Sequence, residues 1–185
     1  MARVKKKAKR AGRLILFVDE SGVYLLPGVV KTWAPRGETP VLQHHLTNAH
    51  LSAISAVSPD GALYFQVQRR AYDSAAVLRF LDALHATMPG KLLIIWDGAP
   101  IHRSELVQAY VDEHRAWLQI EPLPGYAPEL NPDEGIWRYL KYVELKNHAF
   151  ATLGKLEVAV NAALQHIRHL PEIVTATFRE AGLAI

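Results

Sequence analysis

The 185-residue chain contains no cysteine. Disulfide scaffolds, zinc fingers built on thiolates and catalysis by a nucleophilic thiol are therefore excluded. Long hydrophobic runs are also missing. The longest, at residues 14–18 and 92–96, fall far short of the roughly 20 residues that span a bilayer, and no signal-peptide pattern follows Met1. We therefore expect a cytoplasmic protein without membrane association, and the length favours one compact domain.

Acidic residues are absent from the start of the chain, where basic residues cluster. Lys and Arg number 21 against 18 Asp and Glu, which gives a formal net charge of +3. Seven of the basic residues precede Leu14, so an arm of charge +7 precedes a body of charge −4. This distribution predicts a flexible basic arm over residues 1–13. A phosphate-binding segment and a merely solvated tail are both open interpretations of it.

Apolar runs and turn signals predict alternating strands and helices after the arm. The runs at 14–18 and 92–96 are typical of strands buried on both faces, and each leads directly into an aspartate. A hairpin is predicted over residues 51–67 around the turn sequence SPDG. Asp73 is expected to cap a crossover helix between this hairpin and the second run, which indicates a mixed sheet. Further helices are predicted over 104–114, from Asn131, over 153–167 and after Pro171, with a strand over 117–122.

The two aspartates that follow the apolar runs are the first candidates for a functional site. If the two strands are parallel neighbours, Asp19 and Asp97 converge beyond the carboxyl edge of the sheet, where ligands of open α/β sheets collect. Converged carboxylates repel each other, and a divalent cation between them relieves the repulsion. Carboxylate oxygens suit Mg²⁺ or Mn²⁺ better than Zn²⁺. A third acid on a nearby helix would complete a two-ion site for displacement at phosphorus.

Glu134 is the best candidate for the third acid, because it stands in the first turn of the helix that Asn131 opens. A capping box between these two residues is the competing interpretation, and it would account for the glutamate without any metal. Rival ligands are Asp133 and, more weakly, Glu121 and Glu129.

Four segments occur in the order FVDESG (residues 17–22), WAPRG (33–37), WDGAPIH (96–102) and LNPDEGIWRYLK (130–141). Together they resemble the catalytic core of the IS630 and Tc1/mariner superfamily of DDE transposases, over residues 14–141. The 36 residues between Asp97 and Glu134 are similar to the spacing typical of that group. One such segment alone would be a weak signal, whereas four in the same order make the resemblance specific.

The resemblance implies an α/β protein with an RNase H-like fold over residues 14–185, in which helices flank a mixed central sheet. It implies that Asp19, Asp97 and Glu134 are catalytic residues and ligands of two Mg²⁺ or Mn²⁺ ions. The implied reaction is hydrolysis at the ends of an insertion sequence, followed by attack of the freed 3′-hydroxyl on target DNA, commonly at TA. The implied partners are DNA and a second copy of the chain, in the bacterial cytoplasm and at the nucleoid when active.

The chain departs from the family's pattern in three ways. Gly98 stands where the family commonly has Asn, so a side chain that could order Asp97 is missing. Asp133 stands where relatives often carry an apolar residue. Full-length relatives also carry helix-turn-helix domains before the catalytic core, and this chain has none. We therefore expect a truncated copy or a separately encoded helix-turn-helix part, with the basic arm as a linker remnant.

Other residues are candidates for accessory roles. His102 matches a histidine of the family and is interpreted as a contact to phosphate or nucleophile, or as a turn cap. Glu20 and Asp133 are possible accessory acids, although strand alternation turns Glu20 away from Asp19 and towards solvent. Trp137 is predicted to lie in the core and to set the approach of Glu134. Candidate DNA contacts are Lys5, Lys6, Lys7, Lys9, Arg10, Arg13, Arg138 and Lys141.

Two segments keep alternative interpretations. Trp33 either covers the sheet edge or belongs to a loop that, in mariner-like relatives, clasps a partner subunit. The histidines at 44, 45 and 50 have no acid beside them that would support a metal site. Two other functions are also open: an inert transposase fragment that binds DNA or a transposase subunit, and an RNase H-like nuclease.

Overall fold

A mixed five-stranded sheet, in the order β3-β2-β1-β4-β5, lies at the centre of the computed structural model, which describes residues 2–42, 47–125 and 127–183. β1 pairs antiparallel with β2 and parallel with β4, and β4 pairs parallel with β5. The predicted mixed sheet is thus confirmed. The strands are β1 (Arg13–Tyr24), β2 (His50–Val57), β3 (Leu63–Gln68), β4 (Lys91–Trp96) and β5 (Leu118–Pro122).

Helices cover both faces of the sheet. Short 3-10 turns occur at Pro100–Arg103 and Pro128–Leu130, and a π-helical turn at Leu140–Glu144. Among the described residues, no helix combines the length and hydrophobicity needed to cross a membrane. The helices are α1 (Ala2–Ala11), α2 (Ser74–Thr87), α3 (Glu105–Glu113), α4 (Asp133–Tyr139), α5 (Leu153–Arg168) and α6 (Pro171–Glu180).

The side chains of β1 alternate between two separate apolar clusters. Leu16 and Val18 pack with α2 and α3 on one face, whereas Phe17 packs with α4, α5 and α6 on the other. Because side chains alternate along a strand, Asp19 points to the face of Phe17 and Glu20 to the face of Val18. The apolar run at 14–18 is continuous because both faces are covered.

Local signals in the sequence account for the ends of several elements. The amide of Gly61 donates to the carbonyl of Ser58 at 3.0 Å, and Gly61 has a φ of +94°, which confirms the predicted hairpin turn. A Cβ at Gly61 would lie 2.7 Å from the Cβ of Pro171, so space as well as conformation requires glycine. The Asp73 carboxylate accepts from the Ala76 amide at 2.7 Å and caps α2 as predicted.

β1 is longer than the apolar run predicted. It continues to Tyr24 because β2 pairs with it from Phe17↔Val57 to Tyr24↔His50. The parallel ladder with β4, by contrast, has Phe17↔Ile95 as its last pair. Asp19 therefore lies within β1 rather than after it. Since Asp19 and Asp97 each follow that last pair by two residues, they stand at the same level of the sheet.

Residues Ala2–Ala11 form helix α1, so the expectation of a flexible arm is wrong for this stretch. Ala8 is only 2% exposed, and Val4 packs against the cluster under α4, α5 and α6. Lys7 forms an ion pair with Glu121 of β5. Alanine, lysine and arginine favour helix, and residues four apart share one helix face. The apolar face of Val4 and Ala8 docks the helix, which the charge count did not reveal.

The long segment between β1 and β2 contains neither helix nor strand in its described parts, 25–42 and 47–49. Trp33 lies there and is 99% exposed, so the interpretation that it covers the sheet edge is wrong. The histidines at 44 and 45 fall outside the described residues.

Candidate active site at the carboxyl edge of the sheet

A cleft of about 310 Å³ opens where β1 outruns β4. Asp19, Asp97 and Glu134 all line this cleft. The structure therefore brings together the three acids that the sequence analysis selected. The other described lining residues are Gly98, Ala99, Leu123, Pro124, Gly125, Ala127, Pro128 and Asn131.

A side chain of α4 holds Asp19 in place. The indole N–H of Trp137 donates to Asp19 Oδ2 at 3.0 Å. Both residues are buried: Trp137 is 2% exposed and Asp19 is 9% exposed. Burial, and then the charges of Glu134 and Glu20, raise the pKa of Asp19 to about 7, although the bond from Trp137 acts to lower it. Trp137 is a core residue as predicted. Its hydrogen bond to Asp19 was not predicted.

Asp97 follows the last residue of β4, and its side chain is half exposed. Its Oδ1 accepts from the Ala99 amide at 2.9 Å, and the Nδ1 of His102 lies 2.9 Å from the same oxygen. No described residue donates a hydrogen bond to Oδ2. Gly98 has no side chain that could contact Asp97. The space around its Cα is open, because a Cβ built there would have no neighbour within 4 Å.

His102 does not face the cleft. Its ring is buried and stacks on Trp96, with ring centroids 4.2 Å apart and planes 8° apart. Nε2 lies 2.8 Å from Glu20 Oε1, and Nδ1 donates to the Asp97 carbonyl at 3.2 Å. The predicted contact to a phosphate is therefore not possible from this position, and Glu20 is engaged by His102 rather than solvated. Burial acts to lower the pKa of His102, but the bond and charge of Glu20, with the contacts to Asp97, outweigh it and raise that pKa above 6.5.

Glu134 is exposed on the cleft wall, in the first turn of α4. Asn131 begins this helix, because its Oδ1 accepts from the Asp133 amide and its carbonyl from the Glu134 amide, both at 3.2 Å. The amide of Asn131 itself donates to the Pro128 carbonyl at 2.9 Å. A capping box requires that amide for the glutamate carboxylate. The capping-box interpretation of Glu134 is therefore wrong.

The rival acids lie elsewhere. Asp133 is fully buried behind Asp19, where Ser55 donates to its Oδ1 at 2.6 Å. Its Oδ2 is buried and has no hydrogen-bond partner among the described residues. Burial, and then the charge of Asp19, raise the pKa of Asp133 well above its usual range. Asp133, Glu121 and Glu129 are not among the described lining residues of the cleft.

The candidate DNA contacts fall into different settings. Lys141 is half-buried beside the acids: its Nζ donates to Ser21 Oγ at 2.7 Å, and burial lowers its pKa although Glu134 and Asp19 act to raise it. Arg138 pairs with Glu180 at the surface. The guanidinium of Arg13 serves the fold, because it donates at 3.1, 2.7 and 3.0 Å to the carbonyls of Leu92, Trp117 and Arg115.

The donor atoms of the cleft fit a hard divalent cation. Three carboxylates face it, and oxygen ligands suit Mg²⁺ or Mn²⁺. One oxygen of Asp19 and one of Asp97 already accept from protein N–H groups, which leaves the second oxygen of each for a cation. Within the described ranges, no three His, Asp or Glu side chains are already grouped as a formed metal site. Cation binding there requires the carboxylates to converge further.

Comparison with known proteins places this geometry in a family. A family profile described as DDE superfamily endonuclease matches residues 14–157, well over half of the chain. No curated protein sequence matches the chain significantly.

Among solved structures, the chain is similar to the catalytic domain of Mos1 mariner transposase. The identity is 13% and the TM-score 0.61, covering 100% of this chain and 91% of that one. It is also similar to the Mos1 strand transfer complex, at 16% identity and a TM-score of 0.65, covering 100% of this chain and 58% of that one. A Mos1 mariner paired end complex with Mn gives 16% identity and a TM-score of 0.66, with coverage of 100% and 61%. The chain thus spans about three fifths of the Mos1 chains in those complexes. These likenesses confirm the predicted RNase H-like fold.

Proposed function

This chain belongs to the DDE superfamily endonucleases, and we propose that it cuts and joins DNA strands during transposition of an IS630-type insertion sequence. The observation that carries the proposal is the convergence of Asp19, Asp97 and Glu134 in one cleft at the carboxyl edge of a mixed sheet. Residues 14–185 would form the catalytic domain, and α1 would belong to a basic interdomain linker.

Asp19, Asp97 and Glu134 would hold two Mg²⁺ or Mn²⁺ ions. When bound, such ions make water or a 3′-hydroxyl a better nucleophile and stabilise the leaving oxygen. Among the described residues that line the cleft, none is a serine, threonine, lysine or tyrosine. The chain's contribution is to fix its carboxylates: Trp137 holds Asp19, and the Ala99 amide holds Asp97. In phosphoryl transfer of this kind, the protein positions the reacting groups and the charges of the bound ions stabilise the transition state.

Two basic surfaces support a DNA partner. Lys141 lies beside the acids, where a cation suits a phosphate next to the scissile one. On α1, basic residues spaced three and four apart share one face around an open hollow; they are Arg3, Lys6, Lys7 and Arg10. Through Lys7 and Glu121 this helix docks on β5, the neighbour of β4. Lys9 is exposed on the same helix, and Lys5 is half-buried there.

The active complex is proposed to be a homodimer that pairs two transposon ends, with TA as target. Trp33 supports this, because an indole that is 99% exposed covers nothing within its own chain. Arg36 is exposed in the same segment. A separately encoded helix-turn-helix part would supply recognition of the ends, and the complex would act in the bacterial cytoplasm at the nucleoid.

A cleavage and strand-transfer assay tests the proposal. The chain, supplied with a helix-turn-helix part, is incubated with Mg²⁺ or Mn²⁺ and a duplex carrying the inverted repeats that flank its gene. Asp97→Ala should abolish nicking and joining, whereas Asp112→Ala on the surface of α3 should leave both intact. Equal activity of the wild type and Asp97→Ala would overturn the proposal, and so would a wild type inert with both ions. Preference for an RNA:DNA hybrid would instead indicate an RNase H-like nuclease.

A further inference from the structure

We propose that Glu20 and His102 form a positioning pair that fixes Asp97 for cation binding. The inference rests on the proposed function, because it assigns a role to residues behind the same cleft. Glu20 and His102 are each engaged by hydrogen bonds on the α2 and α3 face of the sheet, away from the cleft. They would act through Asp97 and would not touch substrate.

Asp97 needs support that its own loop does not provide. It stands one residue beyond β4, its side chain is 52% exposed, and Gly98 after it has no side chain. Within the loop, the Ala99 amide is the donor to its Oδ1 at 2.9 Å. A half-exposed carboxylate held by one local hydrogen bond retains rotamer freedom, and loss of that freedom opposes cation binding.

The imidazole of His102 is a fixed bridge between Asp97 and β1. Its side chain is 1% exposed and is held between Trp96, on which it stacks at 4.2 Å, and Glu20. Nε2 meets Glu20 Oε1 at 2.8 Å, while Nδ1 contacts both the carbonyl and the Oδ1 of Asp97, at 3.2 and 2.9 Å. A ring occupied on both nitrogens and buried to this degree is unsuited to contact a phosphate or shuttle a proton. Its geometry suits an orienting role.

The contact between Glu20 and His102 joins β1 to the chain after β4, beyond the point where backbone pairing of the two strands ends. β1 and β4 form their last ladder pair at Phe17↔Ile95, two residues before either aspartate. Beyond that pair, Glu20 and His102 tie β1 to the loop after β4. Glu20 points to the face opposite Asp19, so the pair connects the two aspartates without adding a ligand to the cleft. With Oδ1 of Asp97 engaged, Oδ2 is the oxygen presented to a cation.

Substitutions at position 102 separate orientation from packing. Asn places an amide nitrogen near the site of Nδ1 and keeps a donor for Asp97, whereas Gln places one near Nε2 and keeps only the contact to Glu20. Phe retains the stack on Trp96 and loses both. Binding of Mn²⁺ to each variant is measured by electron paramagnetic resonance, and melting is followed in EDTA. His114→Phe is the matched control, since His114 also stacks on an aromatic ring, Tyr110, at 4.0 Å.

We expect His102→Phe and His102→Gln to weaken Mn²⁺ binding about tenfold or more, as removal of an orienting partner does in other metal sites. His102→Asn should retain most of the affinity, Glu20→Gln should lie between, and His114→Phe should match the wild type. Wild-type affinity in a folded His102→Phe would overturn the inference. If that variant does not fold, equal affinities of the Asn and Gln variants would overturn it. Asp97→Asn is measured in parallel: a wild type that binds Mn²⁺ no better than Asp97→Asn contradicts the proposed function instead.

Discussion

The indole N–H of Trp137 donates to a carboxylate oxygen of Asp19 at 3.0 Å, across 118 positions of the sequence. The bond joins α4 to β1, and Glu134 lies on the same helix three residues before Trp137. One helix therefore supplies an acid to the cleft and holds a second acid in place. Through this bond, the packing of α4 against the sheet determines the geometry of two of the three carboxylates.

Trp137→Phe should test this bond, because phenylalanine keeps most of the buried volume and lacks the donor. At pH 8, where Asp19 is ionised, loss of a hydrogen bond to a charged group costs about 1.5–3 kcal/mol of unfolding free energy. Mn²⁺ binding should weaken because Asp19 is no longer oriented. Urea unfolding and Mn²⁺ titration measure the two effects. Trp33→Phe, at a residue that is 99% exposed, should change neither. An unaltered Mn²⁺ affinity in Trp137→Phe would show that the bond is dispensable.

The raised pKa of Asp19 predicts how stability depends on pH in the metal-free protein. Below about pH 4 this group is protonated in both the folded and the unfolded state. Between pH 4 and its folded pKa of about 7, the folded state keeps a proton that the unfolded state has released, so stability falls as pH rises. A rise of the pKa from 3.8 to about 7 corresponds to a loss of roughly 4 kcal/mol of unfolding free energy above pH 7.

Asp19→Asn should therefore melt at a higher temperature than the wild type at pH 8 in EDTA, and the difference should shrink towards pH 4. Added Mg²⁺ should stabilise the wild type at pH 8 but not the variant. Asp112→Asn, at an exposed site, should follow the wild type throughout. A wild type more stable than Asp19→Asn at pH 8 without metal would contradict the assigned pKa.

Gly135→Ala tests how closely α4 must approach α6. Alanine in a helix is normally favoured over glycine by about 1 kcal/mol. At this position, however, the added Cβ would lie 2.6 Å from Thr177 Cγ2 and 2.7 Å from Thr177 Cβ, so α4 must shift. Overpacking of this kind costs about 1–3 kcal/mol. Chemical unfolding should show a net loss of stability, and cleavage should fall with it because Glu134 moves.

Gly154→Ala in α5 is the control, since its Cβ would meet its nearest neighbour, Arg69, at 3.7 Å. It should be neutral or slightly stabilising, with full activity. Equal stability of the two alanine variants would mean that α4 has room to adjust.

The basic face of α1 should contribute to nonspecific DNA affinity. Lys6→Gln combined with Arg10→Gln removes two charges one helical turn apart, and each lost phosphate contact should reduce the slope of log affinity against log salt by about 0.9. Fluorescence anisotropy with a random duplex at several salt concentrations measures the slope. Arg79→Gln with Arg115→Gln, both exposed on the α2 and α3 side, is the matched control. If the salt dependence had the same slope in both double variants, the basic face of α1 would not bind DNA and the helix would have only a structural role.

The features that the sequence predicted well depend on neighbouring residues or on short sequence motifs. The hairpin turn at Gly61 and the cap at Asp73 depend on residues within four positions of each other, so propensity alone was sufficient. Asp19 and Asp97 were selected because each follows a run of apolar residues typical of a buried strand, and both line the same cleft. Glu134 was selected by its place in the first turn of the helix that Asn131 opens, and the resemblance to DDE transposases agreed with that choice.

What it predicted badly depends on contacts distant in sequence. Helix α1 was missed because it is docked by the sheet, through Val4, Ala8 and Lys7. The contact between Glu20 and His102 joins positions 82 apart, and nothing in either neighbourhood encodes it. In each case a tertiary partner decided between two locally acceptable outcomes.

The alternation of β1 makes the register of one strand a condition for catalysis. Residues 14–18 are apolar on both faces, so sliding this stretch by one position would keep hydrophobic residues buried. A slide that brings Glu20 to the place of Asp19 also brings Ser21 to the place of Glu20: the wrong carboxylate would enter the cleft, and His102 would lose its partner. Alignment must therefore come from the pairs that β2 forms with residues 17–24. The hairpin of β2 and β3 contributes no acid to the cleft, but its pairing with β1 determines which acid of β1 points into the cleft.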